Sequence, residues 1–541
     1  MKSNNSDNSD NLTIISKYNL DLVSKIINNK EKKRNKILSN NFLGNLQLFL
    51  INKKDRKKED YAFILEDLSD VSEEFKKSLL NETVDFEIFK IEIKNYFKFI
   101  IKTKYFFNRI ILSSFEIFEK SNLLNIFTHY EKNRGPSYLI NAANNMLAEF
   151  ISKTNNIIMI NNAHFSNFSV NYTNYYTAKF PIEIVSLKKI AHILINSILN
   201  LRGETKKLII CDLDNTLWGG ILGDTEYEKI NLGGHDLIGE AHQHLQKFLK
   251  NLKKQGTMLA ISSKNEIKYV EEVFEKNENM ILNLDDFVEI KCNWDDKAKN
   301  IKEILKNLNI TSSHAVFIDD SKIERERVKE IFPDMECPNY FDNILKANAN
   351  FFAETWFHNP FFTKEDKNRT SSYIASKEIK SIKNKKLSKR ELENWIKRLN
   401  VKVIKKDMNK TNIERTVQLF NKTNQLNTIT RRLDKKELVN WLKKKNEKIN
   451  LYFVSDKFAD YGMTAILTYK ENQKKIEIHD FIMSCRITGR NVENEIISKL
   501  SKNKKKKIEL HFKHSKKNKP MFDMLNKLGF IYQNDKFISK N

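Results

Sequence analysis

Leu208-Ile209-Ile210-Cys211-Asp212-Leu213-Asp214-Asn215-Thr216 is an apolar run that ends in a doubly acidic loop. A short apolar run bounded by polar residues reads as a strand buried on both faces. The pattern returns twice. Met258 to Ser262 leads into Ser263-Lys264-Asn265, and Ala315 to Ile318 leads into Asp319-Asp320. Residues 240–254, 265–276 and 297–308 between them carry helical periodicity. Alternating strands and helices predict an α/β domain with a parallel sheet flanked by helices. In such sheets ligands bind outside the carboxyl ends of the strands. All three polar clusters fall there, so residues 201–360 are expected to form a domain with its site on one rim.

The residue types on that rim narrow the chemistry. Asp212 and Asp214 stand two residues apart at a strand end and repel unless a cation lies between them. A hard cation with oxygen ligands resolves this, and Mg²⁺ is the usual choice beside phosphate. Asp319 and Asp320 come to the same rim from another strand, so the candidate metal set is Asp212, Asp214, Asp319 and Asp320. Ser263 can donate to a phosphoryl oxygen. Lys297, at a helix start after Asp295-Asp296, can neutralise phosphate charge. Any one of these alone reads as a loop acid or a helix cap. Together, in this order, they predict a magnesium-dependent phosphoryl site.

Asp212-Leu-Asp-Asn-Thr216, Ser263, Lys297 and Phe317-Ile-Asp319-Asp320 resemble the four motifs of the haloacid-dehalogenase (HAD) superfamily. Cys211 through Trp218-Gly219-Gly220, Ser263-Lys264-Asn265, Asn293-Trp294 and Ile318 through Glu324-Arg325-Glu326 resemble its FkbH-like subfamily more narrowly. So do Thr423-Asn424-Gln425-Leu426-Asn427, Thr430-Arg431-Arg432 and Met483 through Gly489-Arg490. The resemblance spans roughly residues 150–535. It implies that Asp212 is the nucleophile and Asp214 the general acid/base. It implies Mg²⁺ on Asp212, the Asp214 carbonyl and Asp319, with Thr216, Ser263 and Lys297 on the phosphoryl oxygens. The subfamily dephosphorylates 1,3-bisphosphoglycerate and loads a glyceryl unit on an acyl carrier protein. Cys211 stands where the family's acyl-carrying cysteine is expected. Neighbouring strand residues point to opposite faces, so Cys211 also reads as a core residue beneath Asp212.

The flanking regions carry weaker resemblances. Residues 400–541 resemble the GNAT acyltransferase fold. Arg486, Gly489 and Arg490 stand where an acyl-CoA pyrophosphate loop would lie, and Asn518 and Leu528-Gly529-Phe530 match its closing segment. Asn491 replaces the usual Gly or Ala, and Leu525 stands where many members have a proton-donating Tyr. Acetyl transfer is therefore not expected of the domain; it is expected to grip a pantetheine arm or the carrier protein, with acyl-CoA as the other ligand the resemblance implies. Cys485 reads either as a second acyl-relay thiol or as a buried one. Residues 21–200 resemble an SGNH-hydrolase-like domain, with Ile37-Leu38-Ser39-Asn40 at the end of its first strand. No Asp there has a His three positions later, so a scaffold or docking role is expected instead of hydrolysis.

Composition bounds the rest. The chain has 541 residues, enough for about three domains of roughly 150–200. Residues 1–20 read as a disordered tail and 361–399 as a helical connector. The net charge is +25, but the lysines are scattered and read as solvated faces rather than a nucleic-acid surface. Four cysteines, none at metal-ligand spacing and too few for a disulfide framework in so long a chain, suit a reducing cytoplasm. Tyr96 to Phe118 is the most apolar long stretch, and its four basic residues rule it out as a membrane span; it reads as a buried or amphipathic helical segment. Two other readings remain: a plain HAD phosphatase on a small phosphate ester fused to an N-acyltransferase, and a non-catalytic binding module.

Overall fold

The structure is a computed structural model. It describes residues 9–31, 37–53, 58–116, 127–154, 156–162, 172–178, 183–222, 230–234, 236–358, 373, 399–409, 411–433, 435–443, 447–457, 459–500, 506–515 and 518–539. Contacts divide the chain into two units, Met1–Ile198 and Leu199–Asn541. The fold class is the expected α/β, multidomain one.

The first unit holds a five-stranded parallel sheet. Its strands are β1 (Asp10–Ser16), β2 (Ile37–Leu43), β3 (Glu59–Leu65), β4 (Phe107–Ser113) and β5 (Ile157–Ile160), in the order β2-β1-β3-β4-β5. Ile37-Leu38-Ser39 and Ile157–Ile160 are parallel strands, as expected. Two readings of this region are corrected. Residues 10–20 are not a tail: β1 is a central strand, and Leu12, Ile14 and Ile15 are buried in the core. Ser39 therefore lies within the second, edge strand rather than at the end of the first. Its hydroxyl meets that of Ser24 at 3.0 Å, and its backbone is held by Asn28.

The chain order reverses between β1 and β3, where an open α/β sheet ordinarily offers a ligand crevice. Charged side chains pair at that end, beside an open cavity of about 310 Å³ lined by Lys17, Asn45 and Asp70. Lys17 pairs with Asp67 at 3.2 Å and Asp70 at 2.8 Å, and Tyr18 donates to Asp67. Tyr96–Phe118 is also not one helix. Its described part, 96–116, ends the helix Phe86–Thr103, turns, and enters β4. Among the described residues, one helix, Ile184–Leu201, is long and apolar enough to cross a membrane, and 61% of it is buried inside the protein.

The second unit carries two sheets. β6 (Leu208–Cys211), β7 (Met258–Ser263), β8 (Phe287–Cys292) and β9 (Ala315–Ile318) form a parallel sheet in the order β8-β7-β6-β9. β6, β7 and β9 are buried along their whole length, as their continuous apolar sequence requires. Helices form at Leu237–Lys254, Ile267–Lys276 and Lys297–Leu308, within three residues of the expected bounds. Asp236 caps the first by accepting from Ile238 N and Gly239 N, and Asp296 caps the third through Ala298 N and Lys299 N. Asn309 ends the third in the left-handed conformation, at φ +53°.

The remaining strands are β10 (Lys402–Asp407), β11 (Glu447–Ser455), β12 (Asp460–Glu471), β13 (Lys475–Met483), β14 (Lys507–His511), β15 (Phe530–Gln533) and β16 (Lys536–Ser539). They make a mixed sheet in the order β10-β11-β12-β13-β14-β16-β15. All its pairs are antiparallel except β13 with β14, which run parallel over Lys475–Ile478 only. Apart from Tyr373 and Leu399, the connector expected at 361–399 lies outside the described residues.

Candidate active site

The acidic loop after β6 is shaped by its own short residues. Asn215 takes φ +50°, and its side chain accepts the Gly220 N–H at 2.8 Å. Gly220 sits at φ +95°, a conformation that disfavours any side chain. Beneath the loop, His242 meets the Thr216 carbonyl at 2.9 Å and Gln246 donates to the Leu217 carbonyl at 2.9 Å. Asp212 N–H donates to the Ile318 carbonyl at 3.0 Å, which joins the loop to the end of β9.

On this frame the expected residues meet. Ser263 donates to Asp212 Oδ1 at 2.6 Å. Lys297 Nζ lies 2.9 Å from Asp212 Oδ2 and 2.6 Å from Asp319 Oδ2. Asp212, Ser263, Lys297 and Asp319 are all at most 5% exposed. Asp319 accepts the Ser321 N–H at 2.8 Å, and Arg325 donates to the carbonyls of Asp319 and Asp320, at 2.6 Å each.

Burial first, and then the charge of Asp212, push the carboxyls of Asp319 and Asp320 above the ordinary range. Burial likewise raises Asp214, against hydrogen bonds from Asn265, Leu222 N and Trp218 that favour its ionised form. The ammonium of Lys297 is raised by the two carboxylates it touches, against its own desolvation.

Asp212, Asp319 and Asp320 present carboxylate oxygens that all lie within 4.8 Å of one another. Three carboxylates against the single ammonium of Lys297 leave two negative charges. That balance and the all-oxygen donor set fit a hard divalent cation. The Asp214 side chain, expected among the ligands, is not in this group, because three donors already hold it. Burial raises its carboxyl as it raises those of Asp319 and Asp320, so position, not titration, separates it from the ligand group.

Two further expectations change. Thr216 is wholly buried, and its Oγ1 accepts the Asp320 N–H at 3.1 Å, so it ties the two acidic loops together. Cys211 is turned away from the rim. It is wholly buried in the cluster that includes Ile209, Leu213, Leu245 and Ile318. Burial, and then Asp212, raise its thiol well above the ordinary range, the opposite of what a reactive thiolate needs. The strand's alternation puts the cysteine in the core, one of its two sequence readings.

Trp218, Asn265 and Arg325 carry the site without having been assigned roles. The only sequence signal for them was their place inside the motifs. Trp218 is wholly buried, and its indole N–H reaches Asp214 Oδ1 at 3.0 Å. Trp218→Phe keeps the bulk and removes this donor. The Asp214 carboxyl, which this hydrogen bond holds down against burial, should then titrate higher, read by NMR.

The loop residues expected to bind acyl-CoA behave differently. Gly489 has φ +84° and turns the chain. Arg490 is 1% exposed, donates to Asp456 at 2.7 Å and to the Arg486 carbonyl at 2.9 Å, and lies over the Tyr461 ring at 4.4 Å. Its side chain is an internal strut, while the pyrophosphate expectation rests on backbone N–H groups ahead of the helix Val492–Leu500. Arg486 and Cys485 line a cavity of about 140 Å³ together with Lys207, Arg415 and Lys422.

No protein-family model and no curated protein matches this chain. Solved structures do. The N-terminal part of BF1531 from Bacteroides fragilis, which contains a phosphatase domain and was crystallised with Mg, is similar at 24% identity and a TM-score of 0.57. The match covers 65% of this chain and 94% of that one. A domain from Methanocaldococcus jannaschii matches at 13% identity and TM-score 0.20, over 26% of this chain and 96% of its own. The PaiA N-acetyltransferase of Thermoplasma acidophilum, solved with coenzyme A, matches at 15% identity and TM-score 0.16, over 29% and 97%. Across about two thirds of its length, the chain shares the fold of the phosphatase-containing protein.

Proposed function

We propose that the second unit is a magnesium-dependent phosphatase of the HAD type acting on a phosphorylated small molecule. The observation that carries this is the convergence of Asp212, Ser263, Asp319 and Asp320 at the carboxyl ends of three parallel strands with Lys297 from the helix that follows the fourth. Asp212, Asp319 and Asp320 would hold Mg²⁺, which supplies positive charge against the phosphoryl oxygens. Asp212 attacks phosphorus, and Asp214 protonates the departing oxygen. Asp214 then takes a proton from the water that releases phosphate from Asp212. Lys297 and Ser263 orient the nucleophile and offset charge on the transferred group. Small phosphate esters should be hydrolysed with Mg²⁺ and not after chelation. Phosphate release that persists in chelator would sink this reading.

A finer reading follows the FkbH-like motifs: a glyceryl transferase/phosphatase that uses 1,3-bisphosphoglycerate and an acyl carrier protein. It is supported by the resemblance of Cys211 through Trp218-Gly219-Gly220 to that subfamily's motif, within which Trp218 donates to Asp214. The two phosphates of such a substrate differ chemically. A thiol can displace the acyl phosphate and keep the acyl group as a thioester, while Asp212 removes the ester phosphate. Because Cys211 faces the core, the thiol in this scheme is the carrier's own. The cavity lined by Lys207, Arg415, Lys422 and Arg486 has no carboxylate among its described residues and suits a phosphopantetheine arm. Cys211→Ala should still load the carrier, read as a glyceryl adduct by intact mass. Loss of the adduct in a variant that still releases phosphate would return the thioester to Cys211.

A further inference from the structure

The chain has a second cluster of ligand-type side chains, far in sequence from the acidic site. Glu477 and His479 are two apart on β13 and both half-buried, set between the buried Ile476, Ile478 and Asp480. β14 runs beside them, with Glu477 opposite Glu509 and Ile478 opposite Leu510. The next residue on each strand is His479 and His511, with rings 5.4 Å apart. Against β12, Tyr469 stands opposite Ile478 and Thr468 opposite Asp480, which leaves His479 as an extra, bulged residue. Bulges of this kind re-aim side chains beside functional sites. His511 Nε2 lies 2.7 Å from Glu477 Oε1. One ligand atom from each of the three residues falls within 4.8 Å of the others.

We propose that Glu477, His479 and His511 form a binding site for a zinc-class divalent ion, distinct from the acidic magnesium site. Two imidazole nitrogens and one carboxylate oxygen are a donor set for Zn²⁺ and its neighbours, and three protein ligands leave a fourth position for a small ligand. His479 and His511 both line an open cavity of about 640 Å³, which gives that position access.

The surroundings decide which ion enters. Lys475 and Lys536 already stand 3.5 and 3.2 Å from Glu477. Charge alone therefore draws no cation, and a hard ion such as Mg²⁺ finds only one carboxylate in the three-residue group. An ion that takes imidazole nitrogen gains two ligands. The lysines need only shift toward Glu509, which they already contact at 3.1 and 3.6 Å. The two sites thus sort metals by donor chemistry: oxygen only around Asp212, nitrogen-rich around His479.

The test uses the full chain, stripped with chelator, saturated with Mg²⁺ to fill the acidic site, and titrated calorimetrically with Zn²⁺. A single equivalent should bind. His479→Ala and His511→Ala should each weaken it by at least the roughly 10–100-fold that outer-shell partners are worth. Asp319→Asn should leave it unchanged, and Lys536→Met should strengthen it by removing a competing cation. Co²⁺ in place of Zn²⁺ should give the visible bands of a low-coordinate site without thiolate charge transfer. That spectrum, taken on the unaltered chain, decides the question even where a histidine variant misfolds. The proposal is overturned by no binding, by binding that survives both histidine variants, by loss of binding in Asp319→Asn, or by a thiolate band.

Discussion

Asp212→Asn is expected to lower phosphate release by about 10⁴-fold or more, because an amide cannot accept the phosphoryl group. Stability should move the other way. Asp212 is a cause of the raised carboxyls of Asp319 and Asp320. Removing its charge relieves both, and Lys297 keeps its 2.6 Å contact with Asp319. The melting temperature in chelator should therefore not fall. A parallel loss of activity and stability would mean that Asp212 is a structural acid and that another group attacks phosphorus.

Lys297→Met should have the largest effect on stability. Lys297 is 4% exposed and touches two buried carboxylates. Removing one partner of a buried ion pair costs about 3–5 kcal/mol, because the remaining charge is stranded. The loss should be largest in chelator and partly restored by Mg²⁺, which supplies the missing positive charge. Urea melts with and without Mg²⁺ read this directly. In the unaltered, metal-free chain the pH dependence has a definite sign. Asp214, Asp319 and Asp320 all have carboxyls raised by burial. Their contribution to stability is complete below the unfolded value of about pH 4 and is lost as pH rises through the raised folded values. Mg²⁺ should flatten that loss.

Much of this architecture could be read from sequence wherever one local rule sufficed. β6, β7 and β9 are apolar runs because both faces are covered, and each ends in the polar residues that make the site. β1 escaped because Leu12, Ile14 and Ile15 follow a polar leader whose composition looks like that of a disordered tail. Tyr96–Phe118 escaped because no Gly or Pro marks the turn between its helix and its strand. At the site, the acids and Lys297 were legible from type and order. The donors that tune Asp214 were not, because hydrogen bonds from Asn265 and Leu222 follow no sequence period. The same holds for Arg490, which is consumed by Asp456 and Tyr461 about 30 residues earlier. Which way Cys211 faces needed the strand itself.

The central claim is that Asp212 receives the phosphoryl group. Mixing the chain with Mg²⁺ and a small phosphate ester, quenching in acid within the first turnover and mapping peptides by mass tests it most directly. Phosphate should appear on the peptide containing Asp212 and be absent in Asp212→Asn. Phosphate carried by any other residue, or turnover that persists in Asp212→Asn, would contradict it.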